Sequence, residues 1–124
     1  MNTRFLPSLA LCLVTAFATN ARAEPAAKMV GGKLVNSSGM TLYTFDKDVA
    51  GSGKSTCIAA CVAIWPPAAA PADAKPEGDL GVITRDDGAK QWAHKGRPLY
   101  LYLFDKKAGE ATGDNNGNVW HVVK

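Results

Sequence analysis

The sequence predicts a mainly β protein: a small antiparallel β domain built from two pseudo-repeats, with one short helix near residues 55–64. Three observations carry that expectation. Lys33-Leu34-Val35-Asn36-Ser37-Ser38-Gly39-Met40-Thr41-Leu42-Tyr43 can be laid without a gap on Lys90-Gln91-Trp92-Ala93-His94-Lys95-Gly96-Arg97-Pro98-Leu99-Tyr100, with Lys, Gly, Leu and Tyr coinciding. Each Tyr then opens a Tyr-x-aromatic-x-x-Asp pattern, Tyr43, Phe45 and Asp48 in the first copy and Tyr100, Tyr102 and Asp105 in the second. Within each copy the two aromatics alternate with period two, which sets them on one face of a strand. Finally, Gly, Asn and Asp clusters punctuate short apolar stretches, as they do in antiparallel hairpins.

Taken in order, residues 1–23 read as a secretory signal peptide: a basic start at Arg4, an apolar run from Phe5 to Ala18, and Ala21-Arg22-Ala23 before the cut. The run is too short to span a bilayer, and no transmembrane segment is expected in the mature chain. Cys12 falls inside the leader and is discarded with it. Residues 24–30 are expected as a flexible tail, and 31–124 as a single β domain with repeat halves at about 31–67 and 79–124. Met29–Asn36 and Met40–Phe45 form a first hairpin around Asn36-Ser37-Ser38-Gly39. Asp46–Ser55 is a loop, and Ser55 or Thr56 caps the helix through Ile64 before Trp65-Pro66-Pro67 stops it. A Pro- and Ala-rich connector, Ala68–Gly78, separates the halves. Leu80–Arg85 and Lys90–Lys95 form a second hairpin around Asp86-Asp87-Gly88, Pro98–Phe104 is a further strand, Lys106–Asn118 a loop, and Val119–Val123 the last strand.

Charge excludes some functions. Without Arg4 and Arg22 the chain from Glu24 carries 12 basic and 11 acidic residues, with no single-sign run. Nucleic acid is therefore not an expected partner. Gly51-Ser52-Gly53-Lys54-Ser55 imitates a phosphate-binding loop, but Asp48 stands where the first glycine must be. Cys57 and Cys61 are the remaining cysteines, an even pair in an exported chain, and read as a disulfide. His94 and His121, with Met29 and Met40, offer nitrogen and sulfur ligands for copper or another transition metal, without the local spacing of a built site. The serines lie in Gly- and Asn-rich loops with no strained elbow, so no catalytic residue is assigned. Trp92 and Trp120, with the repeat tyrosines, are candidates for a ligand face. Core packing is the plainer use of such rings in a small domain.

The same segments resemble a known family. Leu42 to Asp48, Cys57 through Cys61 to Pro67, Arg85-Asp86-Asp87-Gly88, Gln91-Trp92-Ala93, Gly96 to Tyr100 and Trp120-His121-Val122 together look like the bacterial secreted-repeat or predicted-lipoprotein family with the Tyr-x-(Phe/Trp/Tyr)-x-x-Asp motif. The resemblance runs over nearly the whole chain after Gly31, and it implies an exported protein without implying an activity. The expectation is a non-catalytic envelope module, periplasmic or secreted, that binds an envelope protein or small ligand without a cofactor. The alternative is a periplasmic copper-type metal-binding protein using His94 and His121.

Overall fold

The computed structural model describes residues 25–124; the leader, its cleavage site and Cys12 lie outside the described residues. Among the described residues seven short strands follow one another: β1 (Ala27–Val30), β2 (Lys33–Asn36), β3 (Tyr43–Phe45), β4 (Leu80–Thr84), β5 (Lys90–His94), β6 (Arg97–Pro98) and β7 (Trp120–Val122). One helix, α1 (Ala60–Ile64), and a single 3-10 turn at Asn116–Asn118 complete them. All strand pairs are antiparallel: β1 with β2, β3 with β7, and β4 with β5 with β6. The small mainly β domain with two repeats is what the sequence predicts.

The two halves are joined at their repeat tyrosines. Tyr43 N–H donates to the Tyr100 carbonyl and Tyr100 N–H to that of Tyr43, both at 2.9 Å. Around this pair each half repeats one three-way junction. Leu34 N–H donates to Val123 O, Val123 N–H to Leu42 O and Leu42 N–H to Leu34 O; in the other half Trp92, Ala68 and Leu99 close the same circuit. Trp65–Ala68 is therefore the counterpart of Trp120–Val123, and each repeat gives its last segment to the other repeat's strands. Antiparallel bonding across sequence-distant segments makes the halves one cooperative unit.

These equivalences correct the gapless alignment. Leu34 matches Trp92, not Gln91, because the first-half turn between Asn36 and Met40 is one residue longer than the Lys95-Gly96 turn between His94 and Arg97. From Thr41 to Asp48 the original offset holds.

Four other expectations are corrected. The segment expected as a flexible tail contains β1, which pairs with β2 across Gly31-Gly32, both at positive φ as such a tight hairpin requires. Met29–Asn36 is thus two strands and a turn. The helix begins at Ala60, since Ser55 and Thr56 turn their hydroxyls to Tyr100 and Asp48 instead of capping it. The strand expected over Pro98–Phe104 breaks after Pro98. Leu101 and Leu103 still donate to the carbonyls of Pro66 and Ile64, but Pro66 and Pro67 have no N–H to return the ladder. Their counterparts His121 and Val122 do, and there β3 and β7 pair in full.

Candidate functional site

The repeat signature folds into the interior. Tyr43, Tyr100 and Cys57 are fully buried, and Phe45, Trp65 and Trp120 nearly so. Four rings stack in a column, Phe45 on Trp120 (centroids 4.2 Å), Trp120 on Trp65 (3.9 Å) and Trp65 on Tyr102 (4.2 Å). Tyr43 meets the edge of Trp65 and Tyr100 that of Trp120, the edge-to-face geometry that aromatic quadrupoles favour. Each tryptophan stacks on the other repeat's aromatic and takes its own repeat's tyrosine edge-on.

The motif carboxylates follow the same exchange. Tyr43 Oη donates to Asp105 Oδ2 at 2.6 Å and Tyr100 Oη to Asp48 Oδ2 at 2.5 Å, so each tyrosine is latched to the aspartate of the other copy. The remaining carboxylate oxygens accept from a threonine backbone N–H and hydroxyl, Thr56 on Asp48 and Thr112 on Asp105. Both aspartates close turns, Asp48 N–H donating to Phe45 O and Asp105 N–H to Tyr102 O, yet both are buried, at 3% and 6% exposure. Burial first, and then the bonded carboxylate, hold both phenols well above the ordinary tyrosine range. They are donors that keep their protons.

The two latches differ in what surrounds them. Tyr43 Oη also accepts from Gly113 N–H. Tyr100 Oη instead meets Ser55 Oγ, which Arg85 Nη1 holds at 2.8 Å; the same guanidinium donates to Gln91 Oε1 and to the Cys57 carbonyl. The sequence gives Thr112, Arg85 and Gln91 no role in a site, and Ser55 and Thr56 only that of a helix cap. The two threonines were discoverable, since each follows its aspartate by seven or eight positions.

Cys57 and Cys61 form the expected disulfide, with Cα atoms 5.3 Å apart, although Cys57 lies before the helix rather than within it. The metal-alternative residues are spread apart. His94 is on β5 and His121 on β7, in different sheets. Both His121 nitrogens are engaged, Nε2 with Asp46 at 2.8 Å and Nδ1 with Asn115 at 3.0 Å. Burial and then Lys95 lower the His94 pKa, against a weaker pull from Asp79. Met29 is exposed on β1 and Met40 half-buried in the first turn. Among the described residues no three His, Cys, Asp or Glu side chains gather as a metal set.

The exchanged latches explain why the motif must occur twice. The model of a family described as a secreted repeat of unknown function matches residues 26–69 and again 81–124. The chain belongs to that family. Neither a curated protein nor a solved structure matches it. The two matched stretches of this secreted-repeat protein each end on the segment given to the other half, Ala68-Ala69 and Val123-Lys124. No helix among its described residues is long and apolar enough to cross a membrane.

With the signature internal, the open recesses lie at the surface. Trp120 belongs to the core column, whereas Trp92 is half-buried and walls a cleft of about 400 Å³ with Leu42, Leu101 and Ala27. Lys75 and Glu77 stand at its margin. Trp92 occupies the place that Leu34, only 5% exposed, holds in the other half. The scaffold fills that place with a leucine on one side and keeps a partly exposed indole on the other.

Proposed function

We propose that this secreted-repeat protein is a non-catalytic binding module of the cell envelope, working in the periplasm or outside the cell, whose ligand enters the cleft beside Trp92. The observation that carries the reading is the exchange of a buried leucine for a half-exposed indole at equivalent positions of the two halves. Concave sites with apolar walls and a few polar groups at the margin are the usual form of a small binding site. The motif's hydroxyls and carboxylates support a scaffold role, since each is bonded to a protein partner inside the fold.

The test is selection of phage-displayed random peptides on the immobilised protein, followed by titration against Trp92→Leu. That variant copies the other half and should keep the fold. Selected ligands are expected to bind Trp92→Leu about ten-fold more weakly or worse, a loss of about 1.4 kcal/mol. Ligands that bind the variant as well as the native protein would end the cleft reading.

A further inference from the structure

The β1–β2 hairpin leaves a strand edge open. Leu34 and Asn36 turn their backbone groups away from β1, toward Val123, Leu42 and Met40. Their register partners on β1 are Met29 and Ala27. In an antiparallel ladder both members of such a non-bonded pair face outward, so the N–H and C=O groups of Ala27 and Met29 point from the free side of β1. No hydrogen bond to another element occupies them among the described residues.

Both faces of this edge carry a recess. Ala27 and its partner Asn36 border the Trp92 cleft. Lys28 and Val30, on the opposite face by strand alternation, border a second recess of about 620 Å³ with Lys33 and Val35. That recess has two lysines and no acidic residue in its wall. Lys33 Nζ already donates to the Gly109 carbonyl, which leaves exposed Lys28 as the cation facing an arriving strand.

We propose that the free edge of β1 takes up an extended polypeptide strand of a partner protein, one whose side chains alternate between apolar and acidic. The inference rests on the binding-module reading above and names its ligand class. Backbone groups of Ala27 and Met29 pair with the incoming strand, its apolar side chains turn toward the Trp92 cleft, and its carboxylates turn toward Lys28. Strand addition works in this manner, with main-chain bonds for affinity and alternate recesses for specificity. A second copy of this chain fits less well. The fullest antiparallel overlap of two outward β1 edges pairs Ala27 with Met29 and sets Lys28 directly opposite Lys28, a like-charge pair that opposes association.

The experiment uses protein recovered after export, its N terminus read by mass spectrometry, and a fluorescein-labelled octapeptide alternating leucine and glutamate. Fluorescence anisotropy measures binding, and hydrogen exchange follows the Ala27 and Met29 amides. Saturable binding is expected with both amides protected. A lysine-for-glutamate peptide, an N-methylated peptide and the surface variant Lys28→Glu should each bind about ten-fold more weakly or worse. No saturation up to about 1 mM, or binding indifferent to N-methylation and to Lys28→Glu, overturns the proposal. A dimer in the free protein with these two amides already protected also overturns it, giving the edge to a second copy. Loss of binding in Trp92→Leu alone, with N-methylation tolerated, preserves the cleft and rejects strand addition. Loss on N-methylation with Trp92→Leu silent supports strand addition and rejects the cleft as ligand site.

Discussion

Removing the Tyr43 hydroxyl tests the exchanged-latch geometry directly. Tyr43→Phe deletes a 2.6 Å donor to Asp105 and strands the Gly113 N–H that bonded the same oxygen. A hydrogen bond to a charged group contributes roughly 1.5–3 kcal/mol, and a newly orphaned buried donor costs roughly 1–3 kcal/mol. The single variant should therefore lose about 3 kcal/mol, a large share of the roughly 5–15 kcal/mol that holds a domain. Double-mutant cycles locate the interaction. Tyr43→Phe with Asp105→Asn should show a coupling of about 2 kcal/mol, as groups sharing a buried hydrogen bond do. Tyr43→Phe with Asp48→Asn, a pair within one copy of the motif that shares no hydrogen bond, should add to within about 0.5 kcal/mol. Urea unfolding followed by tryptophan emission gives both numbers, provided the slopes match across variants. A larger coupling inside a copy than across copies would refute the exchanged latches.

Three more outcomes follow from the same interior. In a Tyr102→Phe background, Tyr43 and Tyr100 should show no phenolate absorbance while the fold persists. Their folded pKa values lie above the ordinary 10, so their contribution is complete below about pH 10 and falls by about 1.4 kcal/mol per pH unit per tyrosine as pH rises toward the folded values; phenolate at pH 10 with native circular dichroism would contradict this. Reducing Cys57–Cys61, which closes a short loop, should lower stability by about 2 kcal/mol without unfolding the domain, read as a shift in urea midpoint. Gly113→Ala should cost about 1–3 kcal/mol by overpacking, because a Cβ there stands 2.7 Å from Trp65 Cη2 and 2.8 Å from Tyr102 Cδ1. Gly81→Ala, with nothing within 4 Å of its Cβ, is the matched control.

Periodicity made the fold class legible, because Tyr43-Thr44-Phe45 and the turn signals are local patterns and β3 is a local object. What the motif residues do was not legible, because the latches join Tyr43 to Asp105 and Tyr100 to Asp48 across the whole chain, and spacing within a motif is silent about partners so far away. The helix start was misplaced for a related reason. Ser55 and Thr56 are good caps by type, but a buried carboxylate and a phenol from elsewhere claim their hydroxyls. β1 is not legible as a strand of its own, because Ala27-Lys28-Met29-Val30 does not alternate and draws its order from β2. The gapless alignment misled in a useful way, concealing that Trp92 stands where the other half has Leu34.

The two latches, alike in motif, should differ in energy because one of them has a cation within its network. Arg85 reaches Asp48 through Ser55 and Tyr100 and also fixes Gln91 and the Cys57 carbonyl, whereas among the described residues the Asp105 carboxylate is bonded to Tyr43 and Thr112, neither of them charged. A guanidinium joined to a buried carboxylate through one hydrogen-bond network offsets part of the cost of burying its charge. Asp48→Asn should accordingly cost more than Asp105→Asn. The difference should shrink by about 1 kcal/mol when both are made in Arg85→Met, a coupling of the size found for charges joined through one hydrogen-bond network. Urea midpoints of the four variants decide it. Equal costs in the native background, or a difference untouched by Arg85→Met, would mean that the guanidinium only braces the disulfide loop and that the latches are electrostatically equivalent.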